Sequence, residues 1–168
     1  MEVELHVVYL SLGSNLGNRE LNIEQAIDKI AQTYGTVTNI SRLYESPPWG
    51  YESKNSYLNN CIELSTELSP NELLDNLKKI EENLGRQFST NYSDRPIDID
   101  ILFYDNTVVN QENLKIPHPL LAKRAFVLKP MNDLNANFMH PQHFLTISQL
   151  HYNLAEHTLT KVFAKENE

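Results

Sequence analysis

Apolar and acidic residues alternate along Ile97-Asp98-Ile99-Asp100-Ile101, and Leu102, Phe103 and Tyr104 carry the apolar run on. Period two is the mark of a β-strand with unlike faces. The isoleucines therefore turn to a core, and Asp98 and Asp100 share the other face, one pleat apart. Upstream, Leu5 to Ser11 predicts a first strand, which Gly13-Ser14-Asn15-Leu16-Gly17-Asn18 breaks with turn residues. The period then lengthens. Ile23, Ile27 and Ile30 fall at i, i+4, i+7 and predict a helix from about Arg19 to Gln32, capped by Asn18 and closed at Gly35. Thr36 to Glu45 predicts a second strand. Ser46-Pro47-Pro48-Trp49-Gly50-Tyr51 must be irregular, because two prolines remove ladder donors and fix φ. Tyr57 to Leu68 predicts a third strand, with Leu58, Ile62 and Leu64 on one face and Tyr57, Asn59, Cys61 and Glu63 on the other.

The second helix has the strongest start signal. Ser69-Pro70-Asn71-Glu72 combines a capping box with proline in the first turn, Leu73, Leu77, Ile80 and Leu84 form its buried stripe, and Gly85 follows as the C′ residue. Leu74, Lys78 and Glu81 form a neighbouring stripe at the edge of that face. After the Asp98 strand come a turn at Asp105-Asn106, short extended pieces around Val108 and Leu114, and a loop with a helical turn from Ile116 to Phe126. Val127 to Leu134 packs on the core, and His140 to Glu168 carries little signal. The order β-α-β-β-α-β from Leu5 to Tyr104 predicts an α+β, ferredoxin-like core with C-terminal additions. In that core an antiparallel sheet carries its helices on one face, and the first strand and the Asp98 strand lie side by side in the middle. With no repeat or linker, residues 1–168 read as a single domain.

Composition narrows the partners. The chain has 168 residues, 40% of them hydrophobic, and a formal net charge of −8. Nucleic acid and anionic membrane are excluded as general partners, since the surfaces that bind them are basic. A local arginine cluster in an acidic protein can still hold a small anionic substrate. The single cysteine, Cys61, rules out an internal disulfide and a cysteine metal cage. The run from Leu5 to Leu12 is too short for a signal peptide or a membrane span, and the acidic start at Met1-Glu2-Val3-Glu4 has no basic n-region. A soluble cytoplasmic protein with no obligate protein partner is the expectation.

The chemistry centres on the aspartate pair. Two like charges side by side on a half-buried strand repel and call for a cation between them. Hard carboxylate oxygens suit Mg²⁺, and a pair at this spacing suits two-metal phosphoryl transfer. An edge strand with its acids in water is the alternative. Arg95 beside the strand and Arg86 one loop earlier favour a polyphosphate site, because guanidinium matches phosphate oxygens. Gly13-Ser14-Asn15-Leu16-Gly17 lacks the Gly-Lys-Ser/Thr of a P-loop, but can form a pocket wall beside the aspartates. Tyr57 and Asn59 share a strand face and suit a flat heterocycle, the ring stacking and the amide reading its edge; a plain surface face remains open. Trp49 and Phe126 lack core periodicity. His118 and Arg124 read by themselves as loop and surface residues.

Taken together, Leu12 to Gly17, Glu45 to Gly50, Tyr57-Leu58-Asn59, Ile80-Glu81 with Gly85-Arg86, Arg95 to Leu102, and Ile116-Pro117-His118-Pro119 through Arg124-Ala125-Phe126 resemble the 6-hydroxymethyl-7,8-dihydropterin pyrophosphokinase family, in its order and near its spacing. The resemblance implies transfer of pyrophosphate from ATP to the hydroxymethyl group of the dihydropterin, with release of AMP, in folate biosynthesis. It implies two Mg²⁺ ions on Asp98 and Asp100, and polyphosphate contacts from Arg86, Arg95, His118 and Arg124. Leu74, Lys78, Glu81, Ile101 and Lys115 would line the nucleotide side. Gly13, Ser46, Pro47, Trp49, Tyr57, Asn59 and Phe126 would form the pterin pocket, with Tyr57 and Phe126 stacking on the ring. Asp98, Asp100, Arg95 and Arg86 are its catalytic set.

The chain departs from the family pattern in two places, the loop before the aspartates and the segment before Pro117-His118. Members often carry Arg-Trp-Gly-Pro-Arg-Thr before the aspartates, whereas this chain has Tyr92-Ser93-Asp94-Arg95-Pro96. Cations often found near the triphosphate are replaced by Phe88 and Asn113. Two rivals remain. A ferredoxin-like binding module would not need the aspartates. A different metal-dependent transferase would leave Tyr57, Asn59 and the Pro47-Pro48-Trp49 loop unexplained.

Overall fold

A computed structural model describes residues 3–85, 94–154 and 160–163. Strand β1 (His6–Ser14) lies between β4 (Tyr57–Thr66) and β5 (Asp98–Tyr104), antiparallel to both. Strands β2 (Thr36–Ile40) and β3 (Tyr44–Ser46) both pair with β4, and a short β8 (Lys161–Val162) adds to β3. Helices α1 (Arg19–Thr33) and α2 (Pro70–Asn83) supply one core with the sheet face carrying Val8, Leu10, Leu12, Leu58, Ile62 and Leu64. This is the expected β-α-β-β-α-β arrangement. Helices α3 (Ala125–Asn135) and α4 (Ile147–Asn153) cover part of the opposite face through Tyr9, Cys61, Leu102 and Phe103, and a hairpin of β6 (Val109–Gln111) and β7 (Leu114–Ile116) precedes them.

Local chemistry explains the helix ends. Asn18 accepts a hydrogen bond from Leu21 N, and Ser69 and Glu72 form the reciprocal capping box. Gly85 has φ +96, the left-handed value that glycine tolerates past a helix end.

Three expectations change. First, β1 does not stop at Ser11. Gly13 is paired to Asn59 on one side and Asp98 on the other, so ladders on both sides override turn-forming residues. Second, the predicted strand from Thr36 to Glu45 is two strands. Ser41 Oγ accepts from Cys61 N at 2.9 Å, taking the place of a backbone acceptor and interrupting the ladder. Third, β5 is next to β1 but at the edge of the sheet, not in its middle. Its apolar side chains are nonetheless buried, because both cores pack on it, and its outer backbone groups meet other elements. Glu81 Oε2 of α2 accepts from Ile99 N at 2.9 Å, and His118 N donates to Leu102 O at 3.0 Å. A buried carboxylate and a loop amide thus do the work of a neighbouring strand.

No helix among the described residues is long and apolar enough to cross a membrane.

Candidate active site

The face of the sheet opposite α1 and α2 is built from alternate residues of three strands. Register aligns them in rows. Asn59, Gly13 and Asp98 lie across β4, β1 and β5, and Cys61, Ser11 and Asp100 form the next row. Since glycine has no side chain, the first row sinks between an amide and a carboxylate. A Cβ at Gly13 would stand 2.5 Å from Asn59 Nδ2, so the depression is no larger than the missing methyl group.

Over these rows opens a cleft. Its floor is Ser11, Gly13, Asn59 and the two aspartates. The Ser46–Tyr51 segment forms one wall, and Arg124 and Phe126, at the start of α3, form the other; Tyr57 and Arg95 complete it. All seven expected pterin residues line this one cleft together with Asp98, Asp100, Arg95 and Arg124. Ser11 and Tyr51 also line it. Ending the first strand at Ser11 hides its two-residue spacing from Gly13, which shows only because β1 runs on to Ser14, whereas Tyr51 sits in a loop with no periodicity to reveal it.

The polar chemistry is asymmetric. At the aromatic end, Ser46 Oγ and Asn59 Oδ1 are buried and lack a hydrogen-bond partner among the described residues. Both belong to residues at most 5% exposed. Buried polar atoms without partners are rare, and a pair on one cleft marks where a ligand's own polar edge completes the network. Burial raises the Tyr57 hydroxyl pKa well above its ordinary value, so the phenol stays protonated. The Arg124 guanidinium lies 4.5 Å from the Trp49 ring centroid and 5.4 Å from that of Phe126.

At the acidic end, Arg95 Nη1 is 3.5 Å from Asp98 Oδ2. His118 Nδ1 accepts from Leu120 N at 3.1 Å, so its hydrogen sits on Nε2. Burial, reinforced by Arg124 and opposed by Asp98, lowers its pKa to about 4. His118 is therefore a neutral donor near neutral pH.

Other expected residues lie elsewhere. Leu74 packs on the α1/α2 core, Lys78 is exposed, and Lys115 Nζ donates to Asn110. Ile101 is a core residue, and Glu81, 3% exposed, holds the β5 backbone between the two aspartates. Arg86, with Phe88 and Tyr92, lies outside the described residues.

Among the described residues no three His, Cys, Asp or Glu side chains gather as a protein-only metal cage. Two carboxylates facing an open cleft fit Mg²⁺, which takes one or two protein carboxylates and completes its shell with water and substrate phosphates.

The matching family model, 7,8-dihydro-6-hydroxymethylpterin-pyrophosphokinase, spans residues 9–136. A 2-amino-4-hydroxy-6-hydroxymethyldihydropteridine pyrophosphokinase of Aquifex aeolicus is 42% identical over 134 residues, covering 80% of this chain and 83% of that protein. Its counterpart in Porphyromonas gingivalis is 41% identical over 140 residues, covering 81% and 95%. In three dimensions the chain is similar to a wild-type Plasmodium falciparum HPPK-DHPS solved with pterin and p-hydroxybenzoate, with TM-score 0.74 and 19% identity over 96% of this chain and 46% of the other. That likeness concerns the fold.

Proposed function

The chain belongs to the 7,8-dihydro-6-hydroxymethylpterin-pyrophosphokinase family and is a pyrophosphokinase of folate biosynthesis, and from that premise we propose that its cleft transfers pyrophosphate from ATP to 6-hydroxymethyl-7,8-dihydropterin. The observation that carries this assignment is the row Asn59–Gly13–Asp98, which sets a heterocycle-reading amide and a phosphate-handling carboxylate on one floor.

In our reading the pterin lies at the aromatic end, against Tyr57, Phe126 and Trp49. Asn59 Oδ1 and Ser46 Oγ, buried without partners among the described residues, accept hydrogen bonds from its N–H edge. The triphosphate lies at the acidic end. Arg95 and Arg124 contact its oxygens, and His118 donates from Nε2 without adding charge. Arg86 is assigned to the same set by the family pattern. Lys78, Lys115 and Leu74 are assigned to the nucleotide side, and Glu81 and Ile101, both buried, support that wall from behind.

Asp98 and Asp100 would hold Mg²⁺, two ions by the family pattern, whose bound charge neutralises the phosphates. The chain's own contribution is positioning. The aromatic end fixes the substrate hydroxyl in line with the β-phosphorus, so that a new O–P bond forms as the bond to AMP breaks. Arg95, held beside Asp98, faces the charge that develops there. We assign Asp98 as acceptor of the hydroxyl proton, because His118 has its Nδ1 lone pair engaged in the fold.

The test is nucleotide release. Protein, ATP, Mg²⁺ and 6-hydroxymethyl-7,8-dihydropterin are incubated and the nucleotides chromatographed, with Asp98→Asn and Asp100→Asn alongside. Pterin-dependent AMP that vanishes in both variants is expected. AMP formation that persists in either variant removes that aspartate from the assignment.

A further inference from the structure

Asp94 stands immediately before Arg95, where the family pattern has proline, and its carboxylate accepts four side-chain hydrogen bonds beside the cleft. Its Oδ1 accepts from Asn15 Nδ2 at 2.8 Å and from the Tyr51 hydroxyl at 3.0 Å. Its Oδ2 accepts from Asn55 Nδ2 at 2.7 Å and from Ser53 Oγ at 3.0 Å. A carboxylate offers about four lone-pair sites, and here all are used. Burial alone would raise the Asp94 pKa; the four donors outweigh it and leave the pKa below its ordinary value. The geometry is that of a fixed anion inside a cup of donors.

The donors come from two separate segments: Asn15 just past β1, and Tyr51, Ser53 and Asn55, which run from the end of the cleft wall into the loop after it. The connection runs on from both. Asn15 Oδ1 accepts from Arg95 N at 2.6 Å, and Asn15 N donates to Arg95 O at 3.0 Å, so Asn15 grips the Arg95 backbone from both sides. On the other side, the Tyr51 hydroxyl lies 3.3 Å from that of Tyr57. One carboxylate is thus joined through Asn15 to the backbone of the arginine beside Asp98, and through Tyr51 to the ring at the aromatic end.

We propose that Asp94 is a positioning residue which, by binding the Tyr51–Asn55 segment and Asn15 at once, fixes Arg95 beside Asp98 and couples that placement to the pterin wall. This rests on the reading of Arg95 as a phosphate contact. It follows that the chain uses a side-chain anchor where the family pattern has a rigid proline, and that the anchor is specific for a carboxylate. In Asp94→Asn one oxygen becomes an NH₂ that meets the NH₂ of Asn15 or of Asn55, so that side of the cup loses its amide bond although the volume is unchanged.

Because the misplaced group acts in the transition state, kcat falls about tenfold to a hundredfold in Asp94→Asn, and the KM values for ATP and pterin change far less. The deciding measurement is a cycle with Arg95→Ala, each variant assayed for pterin-dependent AMP release. If Asp94 works through Arg95, Asp94→Asn costs less than about threefold once Arg95 is alanine. A full additive loss in that background, or a lowered melting temperature with unchanged kcat, overturns the proposal and leaves Asp94 a structural residue only. Should Asp94→Asn not fold, Tyr51→Phe and Ser53→Ala each remove one donor; lowered kcat in both is expected, and wild-type kcat in both overturns the proposal. The two failures are distinguishable. Wild-type turnover by Arg95→Ala refutes the phosphate role of Arg95 and the positioning role with it. An impaired Arg95→Ala beside a fully active Asp94→Asn refutes the positioning role alone.

Discussion

Alanine at position 13 adds one methyl group where the cleft floor has no room for it. The new Cβ would lie 2.5 Å from Asn59 Nδ2, 3.4 Å from Tyr57 Cδ1 and 3.5 Å from Asn59 Cγ. The two longer distances are ordinary contacts; the shortest must open by about 0.9 Å to become one. Gly13 has no positive φ, so the backbone tolerates alanine and the conflict is confined to the Asn59 side chain. That residue is held in β4 between Gly13 and Tyr44, so its backbone cannot retreat. The amide must rotate instead, giving up the 3.4 Å approach of Nδ2 to Leu12 O and turning Oδ1 away from its present direction. Losing one or two ligand hydrogen bonds at a buried site costs about 1–3 kcal/mol, or roughly tenfold to a hundredfold in pterin affinity. Titration calorimetry with the pterin and with an ATP analogue measures both sides of the cleft. Expected are weaker pterin binding, nearly unchanged nucleotide binding, and a Gly13→Ala/Asn59→Ala double variant no worse than Asn59→Ala. Pterin affinity within about twofold of wild type, or equal losses for both ligands, would refute the reasoning.

Three further outcomes follow from single groups. Glu81→Ala strands the Ile99 amide of β5 in a buried site, and lowers stability by about 1–3 kcal/mol together with turnover, whereas Glu81→Gln keeps an acceptor and loses much less of both; thermal melts and AMP release separate the two. His140, 2% exposed, accepts from the Gln142 and His143 amides through Nδ1, and burial, reinforced by His143, lowers its pKa from 6.5 to about 4. The unfolded chain binds the proton more readily between those values, so this stability is complete above pH ~6.5 and about 3 kcal/mol of it is lost as pH falls toward ~4. Melts at pH 7 and pH 5 should show a smaller drop for His140→Asn than for wild type, and equal drops would contradict the assignment. Leu10→Ala, at a fully buried position on the central strand, should cost about 2–5 kcal/mol by chemical denaturation, without a selective loss of either substrate.

What the sequence determined by itself was whatever depends on near neighbours along the chain. The alternation at Ile97–Ile101 placed the two aspartates on one face, the Ser69–Glu72 box started α2, and Tyr57 and Asn59 were put together by strand periodicity alone. The family pattern supplied most of the remaining cleft, because its short stretches keep their order. Tertiary structure decided what depends on partners distant in sequence. Turn-forming Gly13 lies in a strand because ladders hold it from both sides, and Ser14 follows it in the ladder with β4. Strand β5 lies at an edge yet is buried between two cores, and Glu81 and His118 reach its outer backbone groups from other elements. Asp94 looks like an ordinary polar loop residue until Asn15, Tyr51, Ser53 and Asn55 converge on it. Periodicity reports which way a side chain points; only the closed fold brings up the donors, acceptors and charges that it meets there.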